Sequence, residues 1–264
     1  MIRATGWRAS PKSWRGLGHP NHLRATKLPP AAYVPLPPAL DQGNAGSCTG
    51  NSFAIGLKHG MDMVTGAAQA VSASVRQDYE GGVELPSRLF LYGNARMREG
   101  TFDQDAGAML SDVADGAQRI GYCRESYWPY KDDLLSVTTR PSWSAYQHAA
   151  GQKVVKGMWR LDEDDSLIPT IKAALASGQV VVWGTRLDEA FMNLRAGQIW
   201  PGVRGREVGG HAMVIHAYDD SDVFRTRSSW TADFADGGSA QISSEAVSAG
   251  EEFFVIALAP EYAE

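Results

Sequence analysis

Cys48 stands where a turn runs into a helix, and that position gives its thiol a chemical use. The stretch Asp41-Gln42-Gly43-Asn44-Ala45-Gly46-Ser47-Cys48-Thr49-Gly50 opens with glycines around Asn44 and holds no β-branched residue before Thr49, the composition of a turn. Beyond it Phe53, Leu57, Met61 and Val64 recur at helical spacing, with Ser47 placed as N-cap and Gly66 as stop. Cys48 therefore falls in the first helical turn, where free backbone N–H groups and the helix dipole favour a thiolate. A thiolate is the attacking form of a cysteine nucleophile. Upstream, Gln42 offers a side-chain amide able to donate to a developing oxyanion. Without further signals the same thiol reads as a small buried hydrophobe.

A cysteine nucleophile needs a base, and six histidines are available. His19 and His22 fall in an aperiodic N-terminal arm, His59 in the first helix and His148 in a polar segment. His211 and His216 share the run Gly209-Gly210-His211-Ala212-Met213-Val214-Ile215-His216. An odd offset separates them, so a regular strand points them to opposite faces. Cys and His show no zinc-type ligand spacing, and the glycine-rich stretches form no phosphate loop, so no metal or cofactor is expected.

The elements that must position these groups fall into two blocks. Pro86-Ser87 opens a second helix with Leu89, Phe90 and Met97, ending at Gly100. Asp105-Ala106-Gly107 leads to a third helix, with Ala106, Met109, Leu110, Val113, Ala117 and Ile120 on one face and Gly121 as stop. From about residue 153 the pattern turns to strands over 153–159, 180–184, 211–218, 223–227 and 253–258, interrupted by one helix over 169–177. Helices first and strands second imply a segregated α+β architecture. The arm over 1–28 mixes Gly, Pro, Trp and basic residues and reads as laid over the surface or docked on a partner. The proline-rich 29–38 runs extended as a stiff lead-in to the turn.

Composition bounds the rest. At 264 residues, 44% hydrophobic and 21% charged, the chain is of ordinary globular make-up. A net charge of −5 gives no reason to expect nucleic acid or an anionic membrane as partner. Two cysteines, Cys48 and Cys123, provide no disulfide framework. No apolar run is long enough to span a membrane, and the basic N-terminus lacks the apolar core of a secretory signal. A cytoplasmic location is the expectation.

Gln-Gly-x-x-Gly-Ser-Cys followed by a small-residue helix resembles the active-site segment of papain-like cysteine peptidases. Pro86–Tyr92, Asp105-x-Gly107-Ala108 and Gly121-Tyr122-Cys123-Arg124-Glu125-Ser126-Tyr127-Trp128-Pro129-Tyr130 resemble the bacterial and phage-type branch of that family. Gly210-His211 and Arg227-Ser228-Ser229-Trp230 resemble its catalytic His and Asn-Ser-Trp-Gly segments. The resemblance spans roughly residues 33–245. It implies a two-lobed α+β fold: an N-terminal arm over 1–40, a helical lobe over about 41–135 that begins with the catalytic helix, and an antiparallel, barrel-like β-lobe over about 150–264.

The resemblance further implies Cys48 as nucleophile, His211 as base, Gln42 in the oxyanion hole and Trp230 covering the base from solvent, with Gly46, Ser47 and Gly210 in support. Cys123 matches a structural position. A peptide or protein would bind in the interlobe cleft. Three departures stand out: Ala45 replaces a disulfide cysteine, Thr49 an aromatic residue, and Ser228 the orienting Asn. Ser228 is shorter and holds an imidazole less firmly. An inactive member serving a larger assembly such as a virion, or a peptidoglycan amidase or transamidase, are therefore the alternatives to an endopeptidase. The arm is too short and aperiodic to match the inhibitory prosegment of such enzymes, so control by another route, or none, is the expectation.

Overall fold

The structure, a computed structural model, describes residues 4–14, 27–66 and 80–258. In chain order these form β1 (Trp7–Arg8), β2 (Ala32–Tyr33), α1 (Cys48–Val64), α2 (Arg88–Glu99), β3 (Ala108–Met109) and α3 (Leu110–Ile120). Then come α4 (Leu134–Thr138), α5 (Trp143–Ala150), β4 (Val155–Arg160), α6 (Leu167–Ala176), β5 (Val181–Asp188), α7 (Glu189–Met192) and β6 (Ile199–Trp200). β7 (Glu207–Tyr218), β8 (Val223–Arg227), β9 (Ser239–Ser243), α8 (Ser244–Ser248) and β10 (Glu252–Leu258) complete the fold. Helices dominate the first half and strands the second, the segregated α+β arrangement. His19 and His22 lie outside the described residues.

α1 is buried over nearly its whole length, with Phe53, Ala54, Leu57 and Met61 fully enclosed. Its small residues let neighbours approach: Gly56 lies against Val182 and Ile256 of the sheet, and Gly50 against Arg88 and Tyr92 of α2. Ser87 caps α2 as its sequence position implies, its hydroxyl accepting from Phe90 N–H at 3.2 Å, and Gly100 closes the helix in the left-handed conformation at φ +71°.

The eight-stranded sheet has the order β4-β10-β5-β7-β8-β9-β6, with β2 added against β7. All pairings are antiparallel except β6 with β9, so the sheet is mixed. β5 and β7, at its centre, are almost continuously buried, which explains why they read as apolar runs rather than alternating ones. The proline-rich lead-in is tied down by β2 and by Arg227, whose guanidinium donates to Pro37 O at 3.0 Å.

Three local expectations change. The third helix starts at Leu110, because Ala108 and Met109 pair in parallel with Trp7 and Arg8 as strand. Ser47 makes no side-chain cap; its hydroxyl meets Tyr130 OH at 2.5 Å and accepts from Asn51 Nδ2 at 3.0 Å. The described start of the arm is not laid over the surface at Trp7, which is 2% exposed and packs against both β3 and the central sheet.

Candidate active site

The turn before α1 is held from both sides. Gln42 N–H donates to Ser229 O at 2.9 Å, and the Ser229 hydroxyl donates to Gln42 Oε1 at 2.5 Å. Gln42 Nε2 donates to Ala45 O at 2.8 Å, which fixes the amide beside the turn. Gly46 N–H donates to Asp105 Oδ2 at 2.9 Å, and Tyr92 OH donates to the other oxygen at 2.6 Å. Tyr130 OH donates to Gln42 O at 2.9 Å. Cys48 is thus delivered at the start of α1 by a loop with few free backbone groups. Its thiol is fully buried and lies within reach of the N–H groups of Ala212 and Trp7.

β7 supplies His211, across from Thr185 of β5. His211 Nε2 and Ser228 Oγ are 2.9 Å apart, so the residue that replaces the family Asn does contact the ring. Trp230 stacks on the imidazole with ring centres 4.2 Å apart and planes at 20°. His211 Nδ1 is buried and has no hydrogen-bond partner among the described residues. It sits one residue from Ala212, whose N–H meets the Cys48 sulfur. The structure therefore brings Gln42, Gly46, Ser47, Cys48, Gly210, His211, Ser228 and Trp230 into one region.

The other described histidines do structural work. His216 Nδ1 contacts Val34 O and its Nε2 the Ser239 hydroxyl, each at 3.2 Å. His59 Nε2 contacts Gly178 O at 2.9 Å, and His148 packs on Tyr127. Cys123 is buried in a small cluster with Phe90, Ala145 and Ala149. No group of three metal-ligating side chains occurs among the described residues, nor does any helix there have the length and apolarity to cross a membrane.

Charge is disfavoured at this site in the form observed. Burial pushes the Cys48 thiol up to about 12, against smaller opposing effects of the Ala212 and neighbouring N–H groups. Burial likewise pulls His211 down to about 3. Both therefore stand neutral at pH 7, as thiol and imidazole.

The burial comes from the chain's own N-terminal segment, which sequence reasoning missed as part of the site. Residues 4–11 form a strap through the cleft, bonded to both sides. Gly6 N–H donates to Gly210 O at 3.1 Å, while Ala108 N–H donates to Gly6 O at 2.9 Å. Gly6 passes so close to Gly46 that any Cβ there would overlap the Gly46 carbonyl, which is why the strap is a glycine at this point. Trp230 Nε1 donates to Ala4 O at 2.9 Å, and Ser111 N–H to Ser10 Oγ at 3.1 Å. Arg8 pairs with Glu99 of α2. The strap offers the Trp7 N–H to the Cys48 sulfur and commits the Gly6 carbonyl to Ala108. The one legible signal was a lone Gly-Trp-Arg in a polar arm.

No family model matches the chain. An uncharacterised peptidase C1-like protein of Acanthamoeba polyphaga mimivirus is 34% identical over 210 residues, 75% of this chain and 62% of that protein, so the chain spans less than two thirds of that relative. Xylellain, a cysteine protease from Xylella fastidiosa, superposes with a TM-score of 0.77 at 27% identity, covering 97% of each chain. Digestive procathepsin L 3 of Tenebrio molitor shares the fold with a TM-score of 0.70 at 13% identity, over 97% of this chain and 76% of that one. With five sequence phrases in family order and a papain-like two-lobed fold, the chain is similar to the papain-like, C1-type cysteine peptidases.

Proposed function

We propose that the chain is a cysteine endopeptidase held latent by residues 4–11. The observation that carries this reading is His211, whose Nε2 is fixed by Ser228 while its buried Nδ1 has no partner among the described residues, one position before the Ala212 N–H that meets the Cys48 sulfur. His59 and His148 also leave Nδ1 unpaired, so what sets His211 apart is its place on the strand whose next N–H meets the Cys48 sulfur. Once the strap leaves and water enters, the thiol proton passes to Nδ1, giving a thiolate and an imidazolium.

The thiolate attacks the carbonyl carbon of a peptide bound in the vacated cleft. The oxyanion is met by the Cys48 backbone N–H and by the Gln42 amide, held beside the turn through Ala45 O and Ser229. The imidazolium gives its proton to the leaving amine, and a thioester remains. Imidazole then takes a proton from water, whose oxygen attacks the thioester and frees the acid and the thiol. Trp230, stacked on the ring, keeps bulk water from the His211–Ser228 contact.

The test is labelling of Cys48 by iodoacetamide or an epoxysuccinyl reagent in the full chain carrying Trp7→Ala, from about pH 4 to 9, followed by peptide-library digestion. Labelling that persists well below the titration of a free thiol, and is lost with His211→Ala, supports the pair. Labelling that tracks an ordinary thiol, or absence of cleavage of any peptide, refutes the reading.

A further inference from the structure

The strap does more than cover the nucleophile, because its one large side chain enters a formed pocket. The Trp7 indole lies against β5 and β7 where both strands lack a side chain, at Gly184 and Gly210. A Cβ on Gly184 would overlap the indole at Nε1 and Cε2, and one on Gly210 would come within 2.6 Å of Cε3. The two glycines, near each other on paired strands, thus open a slot one ring thick.

At the far end of the slot stands Glu252, the first residue of β10, with 0% exposure. Trp7 Nε1 donates to its Oε1, and Ser10 N–H donates to its Oε2 at 3.0 Å. Among the described residues, the hydrogen-bonding groups that act on this carboxylate, those of Trp7 and Ser10, come from the strap. When the strap leaves, a buried carboxylate loses both donors, and a new occupant that restores one is strongly favoured.

The surroundings choose between possible occupants. The Arg186 guanidinium lies 5.5 Å from the centre of the Trp7 ring, and the Arg160 charge also acts on Glu252. A cationic side chain would lie beside two guanidinium groups already paired with carboxylates, Arg186 with Glu251 and Arg160 with Glu163, and would lack the stacking that a ring gains under Arg186. An aromatic ring under Arg186 is attracted instead. An aliphatic side chain fills the slot poorly and leaves Glu252 unpaired; phenylalanine fills it and still leaves Glu252 unpaired. An indole meets every demand.

Resting on the peptidase reading, we propose that the Trp7 slot, walled by Gly184 and Gly210 and ended by Glu252, is the pocket in which the enzyme reads its substrate, and that it selects tryptophan at a fixed position beside the scissile bond. The strap holds the cleft by presenting the side chain the enzyme prefers.

The first measurement uses the full chain and needs no turnover. Trp7→Phe, Trp7→Leu and Trp7→Arg are compared with the parent by the rate of Cys48 alkylation, located by peptide mapping. Faster labelling in all three is expected, about tenfold for Trp7→Phe, which keeps the ring and loses the donor. Parent-like shielding by Trp7→Leu or Trp7→Arg overturns the pocket. The second measurement is library cleavage by the full chain with Trp7→Ala. Tryptophan is expected to dominate one position, and its advantage over phenylalanine to fall about tenfold with Glu252→Leu and less with Glu252→Gln, which keeps an acceptor. Cleavage with leucine or arginine preferred, or a tryptophan preference indifferent to Glu252, refutes the pocket and leaves the peptidase reading intact. A Trp7→Ala chain that labels at Cys48 yet cleaves nothing refutes the peptidase reading, and the substrate pocket with it.

Discussion

On the proposed mechanism, Ser228 sets how much catalytic competence this site retains. Its hydroxyl is 2.9 Å from His211 Nε2, and its own backbone is anchored by donation from Ser228 N–H to Gly238 O at 3.0 Å. The shorter side chain therefore reaches the ring because strand β8 ends close to it, with Trp230 pressing the imidazole from one face. Removing an orienting group leaves nucleophile and base in place and lowers the fraction of time they are aligned. In the Trp7→Ala chain, Ser228→Ala should lower kcat/KM by about 10- to 100-fold, with KM little changed. Equal loss in Cys48→Ala, His211→Ala and Ser228→Ala would instead make Ser228 part of the acid–base chemistry itself. The intact chain carries a second residue-scale signature. With the thiol at about 12 and His211 at about 3, its Cys48 should label slowly and almost independently of pH around neutrality. The Trp7→Ala chain should show a rise on the acid side of an ordinary thiol titration.

In the proposed latent form, the strap is the element through which these protonation states would become regulation. His211 rests at about 3 when covered and returns toward its ordinary 6.5 when hydrated, so the open form binds more protons between those values. Each pH step downward in that window favours opening, by up to about 1.4 kcal/mol per unit. Cys48 acts in the opposite range: a thiol at about 12 when covered and near 9 when hydrated makes the open form lose its proton first, so alkali also favours opening. Glu252, raised by burial, keeps its proton longer in the closed form and works against opening at the acid end. Shielding of Cys48, measured as its labelling rate in the full chain divided by that in Trp7→Ala, should therefore be greatest between about pH 6.5 and 9 and weaken on both sides. A ratio flat from pH 4 to 10 would refute this linkage. At the same scale, Ser87→Ala should cost about 1 kcal/mol in denaturant melts by freeing Phe90 N–H at the start of α2.

Elements also show where the sequence was readable. α1 and α2 were legible because glycine, proline and cap residues lie within a few positions of an apolar period, so local chemistry settles both ends. The centre of the sheet was legible because burial on both faces gives continuous apolar runs. β9, Ser-Ala-Gln-Ile-Ser, and the short α5 carry too little apolar pattern to announce themselves. The start of α3 was misread because Ala108 and Met109 suit a helix face equally well. Their pairing with Trp7 and Arg8, a hundred residues away, is invisible to any local window. The candidate site divides the same way. Cys48 and His211 sit in distinctive words, whereas Glu252 and the strap acquire meaning only from contacts distant in the chain.

At the scale of the whole molecule, the strap joins two bodies that are already joined without it. Gln42 N–H to Ser229 O, Thr231 N–H to Leu40 O and the Asp41–Trp230 bridge hold the active-site turn to the β-lobe. α1 packs along β7, β10 and β5. The core pairing Val182–Val214 lies well inside that body, whereas the strap reaches it through single hydrogen bonds and one indole. Two such parts need not unfold together. Gly6 N–H and Ala108 N–H are bonded on opposite sides of the same strap residue, so one opening event exposes both. Native-state hydrogen exchange should give these two amides one common opening free energy, lower than that of the Val182 and Val214 strands. Trp7→Ala should speed exchange at Gly6 and Ala108 by the same factor and leave the central strands unchanged. If the central strands speed up with them, the strap is part of the global fold, and latency can be relieved only at the expense of the enzyme's stability.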